Sequence, residues 1–360
     1  MLHTKHSKAF PVPRILLFHS VGIDISDRSV KYAELVVSGK ELSLGRHGLR
    51  SIPEGVISSG RVENPEALAQ VLSKLKEEEK LSYVRVALPE EQVYLFRTHI
   101  SGLSFSDLRG TIELQIEEHI PISASDAVFD FDVIGEHDGS FDLQVVATSR
   151  ELINGYLEAF SKANLIPVSF ELEAQAIARA IVKTGDKSTS MIVDFGGTRT
   201  GISIIQGDMI LFTSTVSVGG VGMSEAIARS MNVSIDEAEK IKQSTGLSEA
   251  PENREAFSAM VSTLSVLRDE INRTYTYWQT QKDDEGGVRP KIESIVVCGG
   301  DANLPGFTEY LAASLRIPVV CADPWVNITN FKNYIPAIHR KEALSFATAI
   351  GLALADFEYD

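Results

Sequence analysis

The sequence predicts an α/β protein of two lobes, each built on a mixed sheet flanked by helices, with a small α+β domain inserted into the first lobe. Three observations carry this expectation. Strand-like and helix-like segments alternate along the chain. A strand–Asp–turn–strand unit occurs at Asp24 and recurs at Asp194, 170 positions later (194 − 24). The chain has 360 residues, more than one ordinary domain takes up.

The first lobe opens with strands at Val21–Ile25 and Val30–Val37 around the turn Ser26-Asp27-Arg28-Ser29, and Glu41–Leu49 reads as a third strand. A helix follows over Pro65–Lys80. Pro65 suits its first turn, and Leu68, Val71, Leu72 and Leu75 recur at helical spacing. Val84–Leu88 is a short buried strand closed by Pro89. The texture changes between Glu90 and Pro167. Val93–Ile100 predicts a strand, and Phe105–His119 a helix with Leu108, Ile112 and Ile116 on one face, stopped by Pro121. Phe129–Ile134 and Phe141–Ala147 predict a hairpin, and Arg150–Ala163 a second helix. These segments define the insert.

The opening pattern then returns. Met191–Val193 is a strand ending on Asp194, followed by the turn Phe195-Gly196-Gly197-Thr198 and the strand Gly201–Ile205. A Gly-rich turn, Val218–Gly222, precedes a helix from near Met223. Leu264, Leu267, Ile271, Tyr275 and Trp278 form a helical core stripe. Val296–Cys298 is an apolar strand running into Gly299-Gly300-Asp301, and Phe346–Ala353 is a helix of small residues suited to close packing. The expected organisation is an arm over 1–20, the first lobe over 21–89, the insert over 90–167, a connecting helix over 168–187, the second lobe over 188–340, and a C-terminal helix over 341–360 returning to the first lobe.

A net charge of −15 argues against a broad nucleic-acid surface, so an anionic ligand needs local donors. The longest apolar runs, such as Ile295–Cys298 and Ile350–Ala355, are far short of a bilayer crossing. Lys5, Lys8 and Arg14 before Ile15–Phe18 loosely imitate a signal peptide, but the apolar run is short and Pro11 and Pro13 break it. Cys298 and Cys321 lie in apolar, strand-like runs and read as buried, reduced thiols. The eight histidines show no metal-ligand spacing, and Asp283-Asp284-Glu285-Gly286-Gly287 reads as a solvated loop.

The duplicated hairpins point to a phosphate ligand. A turn of small residues exposes successive backbone N–H groups, and an aspartate at each strand end offers hard oxygens to Mg²⁺ through water. The alternative is that Asp24 and Asp194 merely cap turns.

The order of these segments resembles the actin, heat-shock chaperone and sugar kinase superfamily. Asp24 and its turn are similar to the first phosphate motif, Asp194-Phe195-Gly196-Gly197-Thr198 to the second, and Gly299-Gly300-Asp301-Ala302-Asn303-Leu304-Pro305-Gly306 to the adenosine motif. Within it the chain most resembles the PilM family of type IV pilus assembly proteins, in the branch that includes the division protein FtsA. Gly22-Ile23-Asp24-Ile25 with Ser29-Val30-Lys31, Ala87-Leu88-Pro89, Ile120-Pro121, Asn164-Leu165-Ile166-Pro167 and Arg268-Asp269-Glu270-Ile271-Asn272-Arg273-Thr274 carry that likeness, from about Val21 onward.

The resemblance implies a two-lobed actin-like ATPase fold that binds ATP and Mg²⁺ between its lobes. Asp24, Ser26, Ser29, Lys31, Asp194, Gly196, Gly197, Thr198, Gly219 and Gly220 would face phosphates, with Asp24 and Asp194 holding the metal's waters. Glu239 and Lys242 match a ribose-contacting pair, although the same spacing is that of an ordinary i, i+3 surface pair. Gly299, Gly300 and Asp301 would meet adenosine, and Glu173 would orient water for hydrolysis that is slow at most.

The implied partners are the cytoplasmic N-terminal segment of PilN and other inner-membrane platform proteins of the pilus, with self-assembly also open. The implied location is the inner face of the cytoplasmic membrane, without direct insertion. The docking groove would lie between the first lobe and the insert, near Arg97, His99 and Arg109. Two other roles stay open, an FtsA-like division protein and a small-molecule kinase of the same fold. The acidic segment Ala355-Asp356-Phe357-Glu358-Tyr359-Asp360 is unlike FtsA's usual basic helix.

One departure from the family pattern matters. PilM usually carries Gly-Ser where this chain has Ser26-Asp27. Asp27 is expected to put a carboxylate where a phosphate would sit, a repulsion of several kcal/mol at roughly 4 Å and an effective dielectric of about 20.

Overall fold

The strand order of the two large sheets is the same. In the computed structural model, which describes residues 20–38, 41–282, 287–328 and 334–357, one sheet runs Ile166–Leu172, Tyr83–Leu88, Val21–Ile25, Ser29–Ser38, Glu41–Ser51 and the other Val319–Cys321, Ser294–Cys298, Thr189–Phe195, Thr200–Gln206, Met209–Val216. The expected arm (except Ser20), residues 283–286 of the charged loop and residues 358–360 lie outside the described residues.

The chain begins β1 (Val21–Ile25), β2 (Ser29–Ser38), β3 (Glu41–Ser51), β4 (Ile57–Ser58), β5 (Arg61–Val62), α1 (Pro65–Glu79) and β6 (Tyr83–Leu88). The insert follows as β7 (Val93–Ser101), α2 (Leu108–His119), β8 (Ala127–His137) and β9 (Ser140–Ser149). Next come α3 (Arg150–Lys162), β10 (Ile166–Leu172) and α4 (Glu173–Ile181). The duplicate runs β11 (Thr189–Phe195), β12 (Thr200–Gln206), β13 (Met209–Val216), α5 (Gly220–Met231), α6 (Ile235–Thr245), α7 (Arg254–Thr280), β14 (Ser294–Cys298), α8 (Phe307–Leu315) and β15 (Val319–Cys321). It closes with α9 (Arg340–Ala343) and α10 (Ala347–Leu354).

In both sheets the strand that carries the aspartate pairs with a parallel strand far along the chain. β1 lies parallel to β6, and β11 to β14. β11 and β12 form an antiparallel hairpin in which Asp194 faces Gly201. Asp24 and Asp194 are each the penultimate residue of their strand. This is the duplication that the spacing implied.

By compactness the chain forms two units. Among the described residues, the N-terminal unit holds 20–31 and Gly48–Glu173, and the C-terminal unit holds Tyr32–His47 and the residues from Ala174 onward. In the N-terminal unit, Asn64 caps α1 by accepting from the Ala67 amide, and Leu68, Leu72 and Leu75 are buried. In the insert, β7, β9 and β8 form a three-stranded sheet, and α2 lays Leu108 and Ile112 against Ile100, Leu143 and Val145. In the C-terminal unit, α10 packs with Ala33, Leu35, Ala180 and the buried Trp325.

Four expectations need correction. The helix Arg150–Ala163 does not complete the insert. As α3 it lies against α1, because its buried face (Leu152, Tyr156, Ala159, Phe160) matches that layer. The stretch expected as a connecting helix begins as β10, and the helix occupies only Glu173–Ile181. Pro167 is tolerated there because β10 is an edge strand, with a register shift beside the proline. The helix expected near Met223 starts at Gly220, since the β11–β12 turn supplies acceptors for its first amides. Cys298 is buried as expected, but Cys321 is exposed on the edge strand β15, where its neighbour Val320 is also exposed.

Candidate functional site

In the N-terminal unit, the β1–β2 turn closes on itself. The Ser26 amide donates to the Ser29 carbonyl at 2.9 Å, the Ser29 amide donates to Ser26 Oγ at 3.2 Å, and the two hydroxyls lie 3.1 Å apart. Short polar residues favour such local closure. Asp24 is buried, and Lys31 Nζ holds its Oδ2 at 3.1 Å. No donor among the described residues reaches Asp24 Oδ1. The expected repulsion from Asp27 has to be revised. Asp27 Oδ1 accepts the Gly60 amide at 3.1 Å, so part of its charge is taken up by the β4–β5 turn.

The β11–β12 turn is built differently. The Gly196 amide bonds the Arg199 carbonyl at 3.1 Å, which closes the turn. Its carbonyls then serve α5: Gly220 N donates to Gly196 O at 3.0 Å and Val221 N to Gly197 O at 2.8 Å. The contact is close enough that a Cβ on Gly219 would stand 2.3 Å from the Gly197 oxygen. The amides of Gly197 and Gly219 have no acceptor among the described residues. Thr198 is half-buried in the same turn.

Asp194 projects from β11 beside β14, and the Cys298 thiol donates to its Oδ1 at 3.8 Å. Gly299 follows at a φ of +93°, where a Cβ would lie 2.4 Å from that same oxygen. The glycine is therefore required by the close approach of the chain's own Asp194 and Phe195. Gly300 is exposed, and Asp301 turns back under α5.

Lys242 joins these pieces. It is 3% exposed, and its Nζ reaches Asp301 Oδ1 at 2.6 Å, Glu239 Oε2 at 2.9 Å and the Gly220 carbonyl at 3.2 Å. Three partners match the three protons of an ammonium. Ser224 Oγ donates to Glu239 Oε2 at 2.5 Å, which leaves Glu239 as the partly exposed member of the group. Burial pushes the Asp301 carboxyl above its usual range, against the pull of Lys242. Burial also works to raise Glu239, but hydrogen bonds from Ser224 and Lys242 outweigh it, and the net direction is down.

The expected residues thus gather in two groups, each inside one unit. Asp24, Ser26, Ser29 and Lys31 surround the first turn. Asp194, Gly196, Gly197, Thr198, Gly219, Gly220, Glu239, Lys242, Gly299, Gly300 and Asp301 surround the second. Glu173 is the first residue of α4, where a carboxylate suits the helix dipole. In the insert, His99 pairs with Asp142 at 2.7 Å, and the Arg109 guanidinium lies over the Phe129 ring. Among the described residues there is no cluster of three His, Cys, Asp or Glu side chains placed to hold a metal, and no helix is long and apolar enough to cross a membrane. Sequence reasoning missed Gly60 and Ser224. Neither stands in a motif, and each acts through a distant partner.

Comparison with known proteins adds the following. Residues 22–357 match the family described as type IV pilus assembly protein PilM. The cell division protein FtsA of Bacillus subtilis is 21% identical over 200 residues, which are 50% of this chain and 44% of that protein. FtsA of Staphylococcus epidermidis is 20% identical over 201 residues, 50% of this chain and 42% of that protein. The chain thus spans less than half the length of these curated relatives. Among solved structures, a PilM–PilN type IV pilus biogenesis complex superposes with a TM-score of 0.80 at 24% identity, covering 95% of this chain and 99% of that one. MreB5 of Spiroplasma citri bound to ADP superposes at 0.54 and 14% identity, covering 94% and 95%. The family match takes in both duplicated sheets and the insert between them, and the chain belongs to the PilM family of type IV pilus assembly proteins, on the actin-like ATPase fold related to FtsA.

Proposed function

We propose that this chain is a cytoplasmic scaffold for type IV pilus assembly that binds ATP·Mg²⁺ and grips the N-terminal segment of a PilN-like inner-membrane protein. The observation that carries the nucleotide half is the pair of open amides at Gly197 and Gly219, beside Asp194. Backbone donors in a glycine turn suit phosphate oxygens even in a chain of net charge −15. Glu239 is the carboxylate available to ribose hydroxyls, with Lys242 positioning it from beneath. Gly299, Gly300 and Asp301 form the adenosine side. Asp194 would hold waters of Mg²⁺, which would neutralise phosphate charge, and Asp24, with its open Oδ1, is the corresponding carboxylate of the first turn. Ser26, Ser29 and Lys31 form the second phosphate element, as the family resemblance implies.

Glu173 orients water in any hydrolysis, which runs slowly at most. On the insert, Leu103, Phe105, Leu114 and Val133 leave apolar surface exposed, and Leu114 is 86% exposed. That surface suits an apolar peptide segment. The solved PilM–PilN complex of like fold supports this choice of partner. The protein then sits at the inner face of the cytoplasmic membrane through that partner.

Thermal unfolding with and without millimolar ATP·Mg²⁺ tests the nucleotide half. Ligand bound to the native state raises the midpoint by mass action, and a well-folded protein with no shift sinks the proposal. For the partner half, Leu114→Asp and Phe105→Asp are expected to weaken binding of a PilN-like N-terminal peptide by about tenfold or more. Unchanged affinity in both would move the docking surface elsewhere.

A further inference from the structure

The β4–β5 hairpin, residues 57–62, appears in no motif and has no part in the function proposed above, yet it is bonded on both sides. Toward β1–β2, the Gly60 amide donates to Asp27 Oδ1 at 3.1 Å. Away from it, the Gly60 carbonyl accepts from the hydroxyl of Tyr156, a fully buried residue of α3, at 2.9 Å. One peptide position therefore joins the phosphate-type turn to the helix that follows the insert.

The hairpin is also tied to the residue that precedes the insert. Gln92 Nε2 donates to the Ser59 carbonyl at 2.9 Å, and Arg61 Nε donates to Gln92 Oε1 at 3.0 Å. The Gln92 carbonyl accepts from Thr148 Oγ1, near the end of β9, at 2.7 Å. Gln92 stands just before β7, and Thr148 and Tyr156 flank the place where the insert's last strand gives way to α3. Both chain crossings of the insert are thus bonded, within a few links, to the side chain of Asp27.

Gly60 is held too tightly to act as slack in this chain. Its φ is +75°, and a Cβ there would stand 2.4 Å from Pro89 Cγ. The Asp27 carboxylate supplies the acceptor that Gly60 uses.

We propose that the β4–β5 hairpin is a mechanical link between the β1–β2 turn and the insert, with Gly60 as its joint and Asp27 and Tyr156 as its two anchors. Displacement of the insert by a bound peptide moves the hairpin and hence the turn, and ordering of the turn by a phosphate ligand restrains the insert. Coupling of this kind is reciprocal. The ligand side of the link rests on the nucleotide reading above; the mechanical side does not.

Hydrogen exchange on the full-length protein separates the two. Without nucleotide, Asp27→Ala removes an anchor. It is expected to raise exchange by about threefold or more at residues 57–62, at Gln92–Val93 and around Tyr156, leaving α7 unchanged. Asp27→Asn keeps the acceptor and is expected to restore the wild-type pattern. A change confined to residues 26–29 and Gly60 overturns the link.

With ATP·Mg²⁺, wild-type protein is expected to gain protection from the turn through the hairpin to β7 and β9. Tyr156→Phe is expected to keep protection at the turn and lose it beyond the hairpin. If Tyr156→Phe still passes protection to the insert, the link is wrong. If nucleotide protects nothing while Asp27→Ala still loosens the insert's two crossings, the link stands and the nucleotide reading falls.

Discussion

At the β1–β2 turn, Ser26 and Ser29 bond to one another across three positions. At the β11–β12 turn, Gly196 and Gly197 give their carbonyls to the first amides of α5, more than twenty residues on. The strand order around the two turns is the same, and each strand carries its aspartate at the penultimate position. The difference lies in what finishes each turn. Both turns are closed by a backbone bond across three positions, Ser26 to Ser29 and Gly196 to Arg199, and the serine turn adds its own side chains to that closure. Gly196 and Gly197 have no side chains to use, and their turn is finished by close contact with a helix. Backbone amides left over in the second turn are the cost of that solution and also its use.

The comparison predicts unequal responses to substitution. The largest effect is expected at Gly219→Ala, whose Cβ would meet the Gly197 carbonyl at 2.3 Å. Backbone cannot rotate away as a side chain can, and the loss should reach about 3 kcal/mol in urea unfolding. A loss below about 1 kcal/mol would mean that α5 slides freely, and the contrast between the turns would collapse.

Lys242→Met is expected to cost about 2 kcal/mol at neutral pH, because it strands the Asp301 carboxylate in a largely buried site. The pH dependence sharpens this. Asp301 is already raised by burial, and its folded form binds a proton more tightly than the unfolded chain does. Its burial therefore opposes folding as pH rises through that raised range, and Lys242 offsets the opposition. Glu239 is lowered, so the stability it gains with Lys242 and Ser224 is present above the ordinary carboxylate range and fades as pH falls. Both signs make the cost of Lys242→Met shrink on acidification toward pH values near 4. Unfolding curves of both proteins across pH would show it, and a cost that grows with acid would contradict the assignment.

At the first turn, Lys31→Met removes the partner of a buried Asp24 and should cost about 1–2 kcal/mol, reduced because Lys31 is itself partly exposed. Ser26→Ala should cost about 1 kcal/mol or less, the worth of its local hydrogen bonds. If Ser26→Ala proves costlier than Gly219→Ala, the local turn is the one that depends on tertiary support.

Much of this architecture is legible in periodicity. The stripes Leu68-Leu72-Leu75, Leu108-Ile112-Ile116 and Leu264-Leu267-Ile271 are all buried, and each belongs to a helix that its spacing announced. β10 and β13 were not foreseen. β10 carries a proline, which a sheet tolerates only at an edge, and edge position is decided by pairing with β6 rather than by local sequence. α3 resembles a member of the insert by chain position and belongs with α1 by contact.

The amino-acid order by itself determined the duplicated hairpins, their aspartates and the glycine turns, because strand period, helix period and turn chemistry act over a few neighbouring residues. Tertiary structure alone decided where the side chains spend their bonds. Asp27 finds Gly60 at a separation of 33 residues, and Lys242 finds Asp301 at 59. It decided likewise that Gly299 is needed by Asp194 and that Cys321 lies exposed while Cys298 is buried. A hydrogen bond needs its two groups within about 3 Å, and that proximity is set by the packing of whole elements, which no local pattern encodes.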